Sequence, residues 1–114
     1  MKLLDTGVVI DYMETNTYAP AVISAITLLE VLRGIEDNKR PIAKKLLEES
    51  FTVLNLDNST IETYCKIYRK LKAEGQLLPD TDLIIAATAI AHDLTLETKD
   101  VHFKRMKPLG LKIV

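Results

Sequence analysis

The sequence is poor in the residues that mark several large classes of proteins. It has one cysteine, two histidines and no tryptophan among 114 residues. A lone thiol cannot form an internal disulfide, and no cysteine and histidine cluster has the spacing of a zinc site. The longest apolar run, Leu83 to Ala91, falls short of the roughly 20 residues that cross a bilayer. Asp5 and Asp11 stand where a signal peptide needs apolar residues. These absences predict a cytoplasmic protein.

A large excess of positive charge is also missing. The chain has 15 basic and 16 acidic residues, a formal net charge of −1. This balance argues against a protein that coats nucleic acid with a basic surface. The charges are nevertheless unevenly spread: residues 76–98 carry four acids and no base, whereas residues 99–114 carry one acid and five bases. The length predicts a single domain over residues 1–114, since domains run to roughly 100–150 residues.

Short apolar runs alternate with amphipathic segments along the chain. The pattern predicts strands near residues 2–5, 21–24, 51–56, 94–98 and 112–114. It predicts helices near residues 7–14, 26–34, 38–49, 57–75 and 79–91, with a helical turn at 100–106. Strands that alternate with helices in this way indicate an α/β fold around a parallel sheet.

Four acidic residues lie in or beside apolar segments. Asp5 ends the first predicted strand and Asp100 follows the fourth, while Glu30 and Asp82 lie on helices that begin at the same edge of the sheet. Ligands of parallel α/β sheets bind at this carboxyl edge. Four converging carboxylates need a proton or a cation between them, and oxygen ligands without imidazole or thiolate suit Mg²⁺ or Mn²⁺. The pattern therefore favours a metal-dependent nuclease site.

Four segments resemble, in the same order, the motifs of PIN-domain ribonucleases. They are LLDTGVVID at 3–11, ISAITLLEVLRG at 23–34, LPDTDLIIAATA at 78–89 and LTLETKDVHF at 94–103. The most similar subgroup is that of the VapC-type toxins of toxin–antitoxin pairs. The resemblance implies a three-layer α/β/α fold with four to five parallel strands. It also implies an endoribonuclease that cleaves single-stranded or loop RNA with Mg²⁺ or Mn²⁺, using Asp5, Glu30, Asp82 and Asp100 as the catalytic and metal-binding residues.

The resemblance implies supporting roles for neighbouring polar residues. Thr98 matches a hydroxyl position beside the metal, and Thr6 is expected to support the turn after the first strand. Asp80 is expected either to support the site or to cap its helix. Position 7 is Gly where the family more often has Asn. Glycine permits an unusual backbone angle but cannot hydrogen-bond to the carboxylates.

The resemblance also implies protein partners. They are an antitoxin, whose extended segment packs over the helices near residues 26–50 and blocks the site, and a second copy in a homodimer. Four basic residues are candidates for contacts to RNA phosphates, with ordinary solvated charge as the alternative. These are Arg33, Lys99, Lys104 and Arg105.

Other interpretations stay open or fail on particular residues. A haloacid-dehalogenase-like phosphatase needs a second Asp at position 7, where this chain has Gly. A receiver domain could use Asp57 and Lys99, but it leaves Glu30 and Asp82 unexplained. A PIN-like scaffold that binds without cutting, and a PIN nuclease of RNA processing, remain as alternatives. Three further predictions concern residues outside the proposed site. Asp11 is surface charge, Cys65 is core, and Tyr64 and Tyr68 pack in the core, with a partner surface as the alternative for the two tyrosines.

Overall fold

The computed structural model describes the whole chain, Met1–Val114, as five strands, five α-helices and one 3₁₀ helix. The strands are β1 (Lys2–Leu4), β2 (Val22–Ser24), β3 (Thr52–Leu54), β4 (Thr95–Glu97) and β5 (Lys112–Ile113). The helices are α1 (Thr6–Thr15), α2 (Ala25–Arg33), α3 (Arg40–Ser50), α4 (Asn58–Ala73) and α5 (Asp80–Ala91), and the 3₁₀ helix spans Val101–Leu109. Each predicted strand and helix is present, with boundaries shifted by a few residues.

All five strands are parallel and form one sheet in the order β3-β2-β1-β4-β5. The chain builds outward from β1 to β3 on one side, then returns to place β4 on the other side of β1. Leu3 in β1 therefore pairs with Val22 of β2 and with Leu96 of β4. The reversal leaves a crevice beyond the carboxyl ends of β1 and β4, which is where ligands bind in open α/β sheets.

Alternate side chains of the strands enter two separate cores, one on each face of the sheet. Leu3 joins a core built with α4, α5 and the 3₁₀ helix, whereas Leu4 joins a core built with α1, α2 and α3. Both leucines are fully buried, as the two-residue period of a strand covered on both faces requires. The prediction of a three-layer α/β/α fold is confirmed.

Side chains at the carboxyl ends of the strands start the helices that follow. Asp5 caps α1 through the amide of Val8, and Ser24 caps α2 through the amide of Ile26. Asp57 caps α4 in the same way through the amide of Thr60. Each cap satisfies an amide that has no partner within its helix. The caps hold the first turns of the helices against the carboxyl edge of the sheet.

The structure contradicts the prediction for Cys65 and shows which conformation Gly7 adopts. Cys65 is exposed rather than core, because it lies on the outer side of α4. Gly7 has no unusual backbone angle: only Gly75 and Gly110 among the glycines have positive φ, and Gly7 lies in the first turn of α1. No helix of the fold is both long enough and apolar enough to cross a membrane.

Candidate functional site

A pocket of about 500 Å³ opens in the crevice beyond β1 and β4. It brings together the four carboxylates singled out in the sequence, although they come from four different parts of the chain. Its charged lining consists of Asp5, Asp11, Glu30, Asp82, Lys99 and Asp100. We call this cavity the acidic pocket. Five carboxylates and one ammonium group give it a formal charge of −4.

Asp5 is the most deeply placed carboxylate, with 7% of its surface exposed. One oxygen, Oδ1, accepts the Val8 amide at 2.9 Å as the cap of α1. The other, Oδ2, accepts the hydroxyl of Thr98, which lies just beyond β4. The hydroxyl of Thr98 also accepts the amide of Asp100 at 3.0 Å. Thr98 thus holds Asp5 against the end of β4.

Glu30 is held from two sides on α2. The hydroxyl of Thr6 donates to its Oε1 at 2.7 Å, and the guanidinium of Arg33 lies 3.6 Å from its Oε2. Thr6 also lies 3.2 Å from the hydroxyl of the fully buried Thr27. Thr6 therefore positions a carboxylate of the pocket, which is a more direct role than the support of a turn expected from the sequence.

Asp82 is held by no protein donor. It lies in the first turn of α5, and its pKa is raised above the usual value because burial desolvates the carboxylate and because Asp100, Glu30 and Asp5 repel its charge. His102 opposes this shift only weakly. A carboxylate left with uncompensated negative charge in this way is ready to accept a cation or a proton.

Asp100 is exposed and is turned toward its own helix. Its Oδ1 accepts the amide of His102 at 2.9 Å and lies 2.8 Å from Nδ1 of the same histidine. The amide hydrogen bond is the main reason that the pKa of Asp100 lies below its usual value, and burial opposes the shift. The 3₁₀ helix therefore fixes Asp100 as an ionised group at the mouth of the pocket.

Asp80 does not cap α5, which begins after Pro79 without a side-chain cap. Its Oδ1 instead accepts the hydroxyl of Tyr64 from α4 at 2.7 Å, and this hydrogen bond is the main reason that the pKa of Tyr64 rises to about 12. Asp80 is not part of the pocket lining. Tyr64 thus ties α4 to the turn that carries Asp82, in addition to packing beside the core as predicted.

Asp11 is the residue that the sequence reasoning missed. The prediction of surface charge at Asp11 is incomplete: the side chain is 44% exposed, but it lines the acidic pocket and its Oδ2 lies 2.6 Å from Nζ of Lys99. The hydrogen bond with Asp11 is the first cause of a raised pKa of Lys99. Helical spacing could have revealed this position, because Asp11 lies one turn beyond Gly7 on the helix that Asp5 caps.

The other basic candidates lie around the mouth of the pocket. Arg33 pairs with Glu30, and Arg105 donates to the carbonyl of Gln76 at 3.3 Å. Lys104 lines a smaller neighbouring cavity together with Lys99. Of the four predicted phosphate contacts, only Lys99 lines the acidic pocket itself.

Asp57 lies outside the acidic pocket. It accepts the amide of Thr60 at 2.8 Å, and its Oδ2 lies 2.9 Å from Nε2 of His92. These contacts tie the start of α4 to the end of α5. Because Asp57 and Lys99 do not share the pocket, the receiver-domain interpretation is wrong.

The donor atoms of the acidic pocket suit a hard cation. All are carboxylate oxygens, which Mg²⁺ and Mn²⁺ prefer, and the formal charge of −4 leaves them uncompensated. As the side chains stand, no three of them form a ready-made ion cage. Asp5, Glu30 and Asp100 each accept a hydrogen bond from a protein group. In charge and ligand chemistry the pocket residues fit a divalent ion.

Comparison with known proteins identifies similar sequences and structures. Residues 2–108 match the family model described as the PIN domain. "Ribonuclease VapC1" of Methanocaldococcus jannaschii is 41% identical over 97% of this chain and 85% of its own length. The fold matches the structure of VapBC-1 from nontypeable Haemophilus influenzae with a TM-score of 0.84 and 26% identity, over 99% of this chain and 96% of that chain. A toxin–antitoxin complex from Klebsiella pneumoniae matches with a TM-score of 0.76 and 24% identity, over 100% and 96% of the two chains.

Proposed function

The chain belongs to the PIN-domain family, and on this premise we propose that it is a VapC-type ribonuclease toxin that cleaves RNA with Mg²⁺ or Mn²⁺ in the cytoplasm. The observation that carries the proposal is the convergence of Asp5, Glu30, Asp82 and Asp100 on one pocket at the switch point of the sheet. Residues 1–114 act as one PIN domain. Loss of any of the four acids would favour a scaffold that binds without cutting, and all four are present.

Asp5, Glu30, Asp82 and Asp100 would hold the metal. The bound ion supplies an activated water and charge stabilisation for in-line attack on a phosphodiester. The chain's own groups prepare this chemistry: Thr98 and Val8 orient Asp5, and Thr6 orients Glu30. Such hydrogen bonds to ligating carboxylates fix their direction and tune their affinity. Asp82, which accepts no protein hydrogen bond, keeps both oxygens available.

Single-stranded or loop RNA is the proposed substrate. The most deeply buried carboxylate, Asp5, is 7% exposed and lines the acidic pocket. The cleaved phosphate must therefore enter the pocket rather than pass over a flat surface. An unpaired strand can bend in this way and turn its bases outward, whereas a duplex is rigid. Lys99 on the pocket wall would meet the entering phosphate, and Arg33, Lys104 and Arg105 would contact the flanking backbone.

An antitoxin and a second copy of the chain are the proposed protein partners. Helices α2 and α3, which lie within the predicted antitoxin surface, expose Leu29, Ile42 and Leu46 by 53%, 76% and 40%. Apolar side chains grouped on neighbouring helices favour contact with another protein. Burial of this surface by an antitoxin segment that reaches Arg33 and Glu30 would also obstruct the acidic pocket.

An RNA cleavage assay tests the proposed activity. Purified chain is incubated with single-stranded RNA in Mg²⁺, in Mn²⁺ and in EDTA, together with the variants Asp5→Asn and Asp82→Asn. We expect cleavage only with metal, and a loss of about a hundredfold or more in both variants, since one missing charge-stabilising group costs roughly 10²–10³ in rate. Asp37→Asn is the matched control, because Asp37 is 95% exposed and pairs only with Arg40. Unchanged cleavage in both site variants would contradict the assignment.

A growth experiment separates a toxin from a nuclease of RNA processing. Induced expression of the wild type should stop growth, and Asp82→Asn should not. Co-expression of a small protein encoded beside the chain should restore growth if that protein is the antitoxin. Normal growth on expression of an actively cleaving chain would favour the RNA-processing role.

A further inference from the structure

A second cavity of about 430 Å³ adjoins the acidic pocket. The two cavities share Val8, Asp11 and Lys99 as a common wall. The Asp11–Lys99 ion pair, at 2.6 Å, lies on this boundary. We call the second cavity the side groove. A polymer bound in the acidic pocket therefore has a continuous path into the side groove, crossed by one exposed ion pair.

The side groove has a different chemistry from the acidic pocket. Two half-buried tyrosines, Tyr12 and Tyr18, form part of its wall with their rings nearly perpendicular and 6.5 Å apart. Aromatic rings of this kind bind nucleobases by stacking or edge contact. The volume lies within the range of about 300–1,000 Å³ that small-molecule sites occupy. Its only ammonium group is the shared Lys99, so the groove is suited to a base rather than to a phosphate.

Several polar atoms of the side groove are free to accept hydrogen bonds, although Lys99 and the two tyrosine hydroxyls can donate. The hydroxyl of Thr15 donates to the carbonyl of Asp11 at 3.0 Å, and the hydroxyl of Thr17 donates to the carbonyl of Thr15 at 2.9 Å. Both hydroxyl oxygens are then left to accept. Glu97 adds a carboxylate, one oxygen of which lies 3.2 Å from Nζ of Lys2. Acceptors of this kind recognise the amino groups of adenine, cytosine and guanine, which uracil lacks.

We propose that the side groove binds the unpaired base of the nucleotide next to the cleaved phosphate, with a preference for bases that carry an amino group. The proposal rests on the ribonuclease function proposed above, which puts the phosphate in the acidic pocket. Lys99 stands between the two cavities, so it can leave Asp11 and pair with the phosphate that links base and cleavage site. The tyrosines supply the ring contact, and Thr15, Thr17 and Glu97 supply the acceptors.

Nuclear magnetic resonance titration of the full chain tests the proposal without any need for cleavage. The probes are AMP, CMP and UMP in Mg²⁺, with ribose 5-phosphate as the control that has the same phosphate and sugar but no base. We expect AMP and CMP to shift the amides of residues 15–19 in a saturable manner, UMP to do so more weakly, and ribose 5-phosphate to leave these amides in place. Equal shifts from ribose 5-phosphate would overturn the proposal.

Variants distinguish ring contact from general damage. Tyr18→Leu should raise the dissociation constant for CMP by roughly tenfold, because base–aromatic stacking is worth about 1–3 kcal/mol. Tyr68→Leu is the matched control, since Tyr68 is also half-buried but lies on α4 away from the groove, and it should change the constant by less than about twofold. An equal effect of the two substitutions would contradict a base subsite.

A second variant avoids the packing role of Tyr18, whose ring lies 5.9 Å from that of Phe51. Thr17 is exposed, so Thr17→Val leaves the core intact and should weaken CMP binding by about two- to tenfold through loss of one hydrogen bond. Cleavage by the same preparation keeps the two proposals apart. A chain that cleaves RNA but shows no base-dependent shift overturns the subsite alone. Base-dependent binding by a chain that cleaves no RNA supports the subsite and contradicts the ribonuclease function.

Discussion

The two sides of the acidic pocket are prepared in opposite ways. On the side of α1 and α2, Asp5 and Glu30 are largely buried and accept hydrogen bonds from Val8, Thr98 and Thr6. On the other side, Asp82 accepts no protein hydrogen bond and its pKa is raised by burial and by its acidic neighbours. Hydrogen bonds within the fold fix the carboxylates of the first side. On the second side, the negative charge of Asp82 has no protein partner and would be neutralised by a bound cation.

Carboxylates on the two sides therefore have different effects on the stability of the folded chain. A carboxylate that caps a helix stabilises the folded chain whether or not a metal is bound. A carboxylate that faces only like charges opposes folding until a cation neutralises it. Substitutions on the two sides should therefore affect stability with opposite sign, even where both remove activity.

Asp5→Ala should give the largest loss of stability. It removes the cap of α1 and leaves the Thr98 hydroxyl without its acceptor, so the free energy of unfolding should fall by about 2 kcal/mol. Urea unfolding in EDTA measures this value. Asp57→Ala, which removes the cap at the exposed start of α4 together with the contact to His92, is the control and should cost less than Asp5→Ala. Equal costs for Asp5→Ala and Asp82→Ala would break the comparison between the two sides.

Thr98→Val should cost less, about 1 kcal/mol, because it removes one donor to a buried carboxylate while the backbone cap stays. It should also weaken metal affinity by roughly 10–100-fold, as loss of a group that orients a ligand does. Calorimetric titration with Mn²⁺ gives the affinity. Thr95→Val on the same strand should change neither quantity appreciably, and a similar loss there would assign the effect to β4 packing.

Asp82→Asn should stabilise the metal-free chain by a smaller amount. Because the pKa of Asp82 in the folded chain lies above its usual value, the folded chain holds this proton more tightly than the unfolded chain does. The free energy of unfolding of the wild type therefore falls as pH rises from the pKa of Asp82 in the unfolded chain, about 4, through its higher pKa in the folded chain. The variant has no carboxylate at this position, so its stability does not fall for this reason. Melting temperatures in EDTA from pH 4 to 8 measure the difference.

The effect of Mg²⁺ on the melting temperature provides a second measurement for Asp82→Asn. Mg²⁺ should raise the melting temperature of the wild type more than that of Asp82→Asn, since an ion that binds only the folded chain stabilises it by mass action. A larger Mg²⁺ effect in Asp82→Asn than in the wild type would place the ion elsewhere.

Gly7→Asn should have the smallest effect, a gain of a few tenths of a kcal/mol. Gly7 is helical, and an added Cβ would meet only Oδ1 of Asp5 at an ordinary 3.7 Å. Replacing glycine within a helix is favourable by roughly this amount. Gly75→Ala, at φ +67°, should destabilise instead. A loss of stability in Gly7→Asn would show that this side of the pocket has no room for an asparagine side chain.

The sequence predicts much of the fold because each element carries a local signal. Apolar runs such as residues 2–5 and caps such as Asp57 determine where strands and helices begin, and alternation with helices implies a parallel sheet. The carboxyl-edge rule then brings Asp5 and Asp100 together. The prediction of a core position for Cys65 is wrong because this residue lies at the edge of the apolar stripe of α4. At such an edge, neighbouring positions on the helix differ between buried and exposed.

The contacts within the site were less predictable because they join distant parts of the chain. Asp11 pairs with Lys99 across 88 positions, and Tyr64 reaches Asp80 across 16. Local spacing assigned Asp11 to solvent and Asp80 to a helix cap, and only the packing of α1 beside β4 and of α4 beside α5 determines their partners. Side-chain pairs between distant segments depend on the tertiary fold, which the periodicity of the sequence does not describe.

The double duty of Asp5, as helix cap and as member of the acidic pocket, has a genetic consequence. In a screen for loss of the proposed ribonuclease activity, substitutions at codon 5 should yield chains that are both inactive and prone to degradation. Substitutions at codon 82 should yield chains that are inactive but remain folded and persist. Loss of activity at Asp82 should therefore coincide with full-length protein in the cell, whereas loss of activity at Asp5 should coincide with loss of the protein itself.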